Sequence, residues 1–125
     1  MGSSRILIVD DNPTNLKLVR VLLMAEGHTV ATAQDADEAL AQIAAFQPRL
    51  ILMDIQLPGM DGLTLTRRLK ADPATRGTIV VAVTAYAMKG DDARALAAGC
   101  DGYITKPIDT RTMPGVIARF LEKAP

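Results

Sequence analysis

Cysteine is almost missing from this chain: Cys100 stands alone among 125 residues, so no internal disulfide is available to staple the fold. There is no Trp, and two Tyr and two Phe hold the aromatic share to 3%, which leaves a core built from aliphatic side chains. Charge of one sign is absent as well. Fourteen Lys and Arg balance fourteen Asp and Glu, for a formal net charge of zero, which excludes the basic footprint that grips DNA, RNA or anionic lipid. No apolar run reaches the length of a membrane span. The N-terminus lacks the charged-then-apolar pattern of a secretory signal, so the expected setting is the reducing cytoplasm. Repeats, low-complexity tracts and linkers are also lacking. A chain of this length has room for one core, and residues 1–125 are expected to form a single domain with no output domain.

What remains is an ordinary globular composition, 49% apolar and 22% charged, with a clear rhythm. Short aliphatic runs at Ile6 to Val9, His28 to Ala33, Leu50 to Met53, Ile79 to Val83 and Tyr103 to Thr105 alternate with stretches of helical period. The first, third and fourth runs are apolar without alternation, as strands covered on both faces are. Helix punctuation fills the gaps. Asn12 precedes Pro13 as a cap, and Gly27 follows Glu26 as a stop. Asp35 and Glu38 form a capping box for a helix running to Phe46. Further helices are expected at Gly62 to Ala71, at Asp91 to Ala98 ending on Gly99, and from Met113 to Lys123. Pro114 and Gly115 predict that this last helix starts late or kinks. The resulting βαβαβαβαβα order, with right-handed crossovers, specifies an α/β doubly wound five-stranded parallel sheet with five helices, and the groove of such a sheet lies at the carboxyl ends of its strands.

Those carboxyl ends carry the chemistry. Asp10 and Asp11 follow the first strand, Asp54 the third, Thr84 the fourth and Lys106 the fifth. In strand order 2-1-3-4-5 the three carboxylates share one cleft. Two of them about 4.5 Å apart repel by roughly 4 kcal/mol at an effective dielectric of about 20, so protons or cations must accompany them. Lys106 offers one cation and a divalent metal the other. Mg²⁺ fits an all-oxygen donor set; His28 is alone, and Cys100 reads as a small buried apolar residue beside Gly99. A metal-held carboxylate beside an ammonium and a hydroxyl suits phosphoryl transfer onto Asp54. Each residue also has a plainer reading as a turn, cap or solvated side chain. What separates the two readings is that all of them fall on one edge of one sheet.

Asp10-Asp11, Asp54, Thr84 and Lys106-Pro107, at these spacings, resemble the receiver domain of two-component response regulators over Arg5 to about Leu121. The resemblance implies a flavodoxin-like (CheY-like) fold in which Asp54 accepts a phosphoryl group from a partner phosphohistidine. It further implies Mg²⁺ ligation by Asp11, Asp54 and the backbone carbonyl of Gln56, with Asp10 acting through water. Lys106 would hold the phosphoryl group and Thr84 would bond it, while Tyr103 would swing inward to repack the face of the fourth helix, fifth strand and fifth helix. The runs 54–58, 80–85 and 87–91 and Gly99-Cys100 are especially similar to the stand-alone DivK-type receivers of cell-division phosphorelays.

Partners implied are a histidine kinase or histidine phosphotransferase and a downstream protein target, with no nucleic acid and no membrane. Leu18, at the edge of an apolar arc of about 160° on the first helix, forms a candidate docking surface with Asn15, Pro107 and Ile108. In the receiver geometry that the resemblance implies, Gln56 and Tyr86 would flank the approach of a hydrolytic water, and the bulk of Tyr86 predicts slow loss of phosphate. An excised receiver of a hybrid kinase would share all these features. A phosphatase of the haloacid-dehalogenase type also uses a nucleophilic Asp, a Thr and a Lys around Mg²⁺, but it needs an Asp where this chain has Gln56, which cannot donate a catalytic proton. A flavodoxin-type cofactor module would need a phosphate loop after the first strand, where Asp10-Asp11 repel phosphate. The expectation is therefore a phosphoacceptor rather than an enzyme.

Overall fold

Five parallel strands lie in the order β2-β1-β3-β4-β5 in a computed structural model that describes residues 4–57, 59–84, 91–105 and 108–122. They are β1 (Arg5–Val9), β2 (Thr29–Ala33), β3 (Leu50–Asp54), β4 (Ile79–Thr84) and β5 (Gly102–Thr105), and they alternate with α1 (Pro13–Ala25), α2 (Ala36–Phe46), α3 (Gly62–Ala71), α4 (Asp91–Ala97) and α5 (Met113–Glu122). The doubly wound expectation is met. β3 and β4 are buried along their whole length and β1 along all but Arg5, which is why their sequences show apolar runs without alternation.

The period of two along each strand sorts the apolar residues into two cores. Leu7, Val9, Ile51, Met53, Val80 and Ala82 face one side, where Ala39 and Ile43 of α2, Leu65 and Leu69 of α3, and Ala95 of α4 cover them. Ile6, Ile8, Leu50, Leu52, Val81 and Val83 face the other, beneath Leu16, Val19 and Leu23 of α1 and Ile117 and Leu121 of α5. Each Leu, Ile or Val buried this completely is worth roughly 1.5 to 3 kcal/mol.

The helix ends follow the sequence signals in most places. The Asn12 side chain accepts the N–H groups of Thr14 and Asn15 at 2.9 and 3.3 Å, with Pro13 opening α1. The Asp35 carboxylate accepts from Glu38 N–H at 2.8 Å, and Gly27 follows α1 with φ +90°. Asp61, which carried no weight in the sequence, caps α3 by accepting from Thr64 N–H at 2.8 Å.

Two expectations need correction. α5 neither starts late nor loses its first turn: it begins at Met113, with Met113 N–H on Asp109 O at 2.9 Å and Val116 N–H on Thr112 O at 3.1 Å. Pro114 stands in the first turn of α5, where proline is tolerated. α2 ends at Phe46 as expected, on a non-glycine left-handed residue, Gln47 (φ 52°), whose N–H returns to Ile43 O at 3.1 Å. The strands also run further than the apolar runs imply, so that Asp54 and Thr84 are the last residues of β3 and β4 themselves, and His28 stands before β2, its Nδ1 accepting Ser4 N–H at 3.2 Å.

Candidate phosphoacceptor site

β1 and β3 are direct neighbours, and their carboxyl ends place Asp10, Asp11 and Asp54 together, each offering a carboxylate oxygen within 4.8 Å of the others. Asp10 and Asp54 are buried, at 4% and 3% exposure, whereas Asp11 is exposed. Both buried carboxylates are pinned by the turn that follows them. Asn12 N–H donates to Asp10 Oδ1, and Gln56 N–H donates to Asp54 Oδ1, each at 2.9 Å. The backbone is tied down on both sides: Asp10 N–H bonds Ala33 O at 3.0 Å on β2, and Ile55 N–H bonds Val83 O at 3.0 Å on β4. Thr84 is 3% exposed on the strand next to Asp54, whose register partner is Val83.

Ionised carboxylates about 4.8 Å apart repel by about 3.5 kcal/mol per pair at an effective dielectric near 20. The cluster is therefore a site that favours a cation. Its donors are all hard oxygens, one of them open to solvent, which fits an ion that takes one or two carboxylates and keeps much of its water. No His or Cys joins the cluster among the described residues.

Gly62 was missed by the sequence reading. It opens α3 against the end of β3, with its N–H on Ile55 O at 2.9 Å, and a Cβ there would overlap the carbonyl oxygen of Asp54 and the side chain of Met53. The signal was present as a glycine, a poor helix former, at the first position after the Asp61 cap.

The other expected residues divide. Tyr103, the register partner of Ala82, is 44% exposed on β5. Leu18 is 44% exposed on α1, and Val21 and Met24 extend it into an apolar stripe. Asn15 is half-buried, and Ile108 packs partly against the α1 and α5 core. Gln56 is exposed. Lys106, Pro107 and Tyr86 lie outside the described residues.

Residues 6–118 match the family model of the response regulator receiver domain. The chain belongs to that family. It is 44% identical over 117 residues to the polar-differentiation response regulator DivK of Brucella anthropi, covering 94% of this chain and 89% of that one. It is 47% identical over 107 residues to the response regulator PleD of Caulobacter vibrioides, covering 86% of this chain but only 24% of PleD, so it spans about a quarter of that relative's length. The CheY-like receiver domain protein of Methanospirillum hungatei superposes with a TM-score of 0.89 at 35% identity, over 98% of this chain and 96% of the other. The receiver thus carries the family's acidic cleft on the family's sheet. Among its described residues, no helix is long and apolar enough to cross a membrane.

Proposed function

We propose that this receiver is the phosphoacceptor of a phosphorelay, with Asp54 as the residue modified. The observation that carries the reading is the convergence of Asp10, Asp11 and Asp54 with Asp54 itself buried at the end of β3. A carboxylate oxygen of Asp54 attacks the phosphorus of a partner phosphohistidine. The new O–P bond forms as the N–P bond breaks, and the electron pair and a proton leave with the imidazole. Asp11, Asp54 and the Gln56 carbonyl would hold Mg²⁺ directly and Asp10 through water, and the ion would neutralise charge on the phosphoryl oxygens. The Gln56 N–H fixes one oxygen of the Asp54 carboxylate and so orients the group. Lys106 supplies the remaining positive charge, and Thr84, buried on the adjacent strand, bonds the phosphoryl group once it is in place.

The output is a change of surface. Tyr103 stands exposed on β5 beside β4, and inward rotation as Thr84 engages the phosphoryl group would repack the α4-β5-α5 face read by a downstream protein. Likeness to DivK supports a cytoplasmic cell-division or differentiation relay, with a histidine kinase or phosphotransferase as donor. The quarter-length match to PleD favours a second reading, a receiver within a longer protein. The mass of the protein detected in its own cells separates the two. Among the described residues, the carboxylates beside Asp54 belong to the acidic cluster itself, which supports a switch rather than a phosphatase, with Gln56 and Tyr86 limiting water attack on the aspartyl phosphate.

Acetyl phosphate with Mg²⁺ is the direct test. Mass spectrometry is expected to find one phosphoryl group on Asp54, none in Asp54→Asn, and none after chelation of the metal. Undiminished labelling of Asp54→Asn would overturn the proposal.

A further inference from the structure

The opposite edge of the sheet holds a second polar site. Ser4, Arg5, Thr29 and Arg49 line a cavity of about 360 Å³ at the amino ends of β2, β1 and β3. Topology makes the cluster: Arg5 opens β1 opposite Thr29 of β2, and Arg49 precedes β3 with its N–H on Arg5 O at 2.8 Å. The two guanidinium groups are oriented by backbone. Arg5 Nε–H donates to Gln47 O at 3.0 Å, and an Arg49 Nη–H donates to Leu121 O at 3.2 Å. Each bond uses one of the five N–H donors of its side chain. Among the described residues neither guanidinium pairs with a carboxylate, Glu122 beside Leu121 included. Two like charges thus line one cavity with no carboxylate paired to either among the described residues, an arrangement that an anion relieves.

We propose that this edge binds a phosphate group, free or as the monoester head of a small molecule or lipid. Two guanidinium forks and two hydroxyls supply more directed donors than a carboxylate can accept, and a charge near −2 matches the two arginines where a carboxylate leaves one unmatched. Some five residues of β1 separate Arg5 from Asp10, about 16 Å along the strand, so occupancy here does not compete with the acidic cleft.

The test is a titration of the full chain followed by ¹H–¹⁵N spectra, without divalent cation so that the acidic cleft repels phosphate. Inorganic phosphate is expected to give saturable shifts at Ser4, Arg5, Thr29 and Arg49, with acetate at matched ionic strength binding about tenfold more weakly. The double variant R5Q/R49Q should lose about tenfold or more in affinity while keeping a dispersed spectrum, and R49K, which keeps the charge without the fork, should fall between. Shifts that rise linearly and match a chloride control, or unchanged binding by R5Q/R49Q, would overturn the site; if the double variant is not dispersed, R5Q and R49Q singly carry the same comparison. Glycerol phosphate and phosphatidylcholine vesicles doped with phosphatidic acid then identify the source: shifts with the soluble ester point to a metabolite, co-sedimentation lost in R5Q/R49Q points to a lipid head, and vesicle binding that survives R5Q/R49Q argues against the site.

Discussion

Gly62 joins two jobs in one position, because it opens α3 and the carbonyl of Asp54 occupies the space a side chain would need. Gly62→Ala is expected to destabilise the chain by about 1 to 3 kcal/mol through overpacking. It should also slow labelling of Asp54 by acetyl phosphate more than an equally destabilising change at Ile43, far from the cleft; equal slowing would mean that the contact does not position Asp54. Cys100 is the other informative residue. Burial pushes its thiol above the ordinary 9.0, opposed by the Thr66 hydroxyl and reinforced by Asp101. A raised value means that the folded chain favours the neutral thiol, so this stability is complete below 9.0 and drains away as pH climbs through the folded value. The difference in melting temperature between wild type and Cys100→Ala should therefore shrink with rising alkaline pH. A constant difference would refute the linkage.

At the scale of elements, α3 is tied to β4 and β5 by one side chain. Lys70 Nζ donates to Arg76 O at 3.2 Å, Thr78 O at 2.6 Å and Asp101 Oδ2 at 3.0 Å. The same Asp101 oxygen accepts Val80 N–H at 2.8 Å. The Lys70 stem crosses Gly99 (φ +103°) so closely that a Cβ there would lie 2.8 Å from Lys70 Cγ. A partly exposed ion pair is worth at most about 1 kcal/mol, but a buried strand N–H left without an acceptor costs about 1 to 3 kcal/mol. Asp101→Ala should therefore destabilise more than Lys70→Met, which keeps the apolar stem over Gly99. Chemical denaturation of the two variants and their combination decides this, and equal losses would assign the contribution to the ion pair alone.

For the whole molecule, the doubly wound sheet separates an acidic edge, where Asp10, Asp11 and Asp54 meet, from an edge bearing Arg5 and Arg49. It also leaves Leu18, Val21 and Met24 of α1 exposed on the outer face, apolar surface that stable burial of α1 does not require. If this stripe receives the helices of the phosphodonor, Leu18→Ala will slow phosphotransfer from a phosphorylated kinase or phosphotransferase roughly tenfold, a loss of about 1.4 kcal/mol. Labelling by acetyl phosphate, which needs no protein docking, will be unchanged. Parallel slowing of both reactions would instead place Leu18 in the folding of α1.

The order of elements, most helix caps and the acidic residues at the strand ends were legible in the chain itself, because apolar period, caps and strand ends are written in neighbouring residues, whereas the strand order came with the resemblance to receivers. Asn12 with Pro13 and Asp35 with Glu38 each needed only a few positions to declare a helix. Tertiary structure decided what depends on residues far apart. Pro114 is harmless because Asp109 and Thr112 extend the start of α5, and Gln47 ends α2 in a left-handed turn without glycine. Gly62 matters only once β3 and α3 meet, the Lys70 clasp spans 31 residues to Asp101, and Arg5 faces Arg49 only because β1 and β3 pair across a crossover. Local periodicity sets which segments form. The space between segments, filled once they pack, sets which single atoms become indispensable.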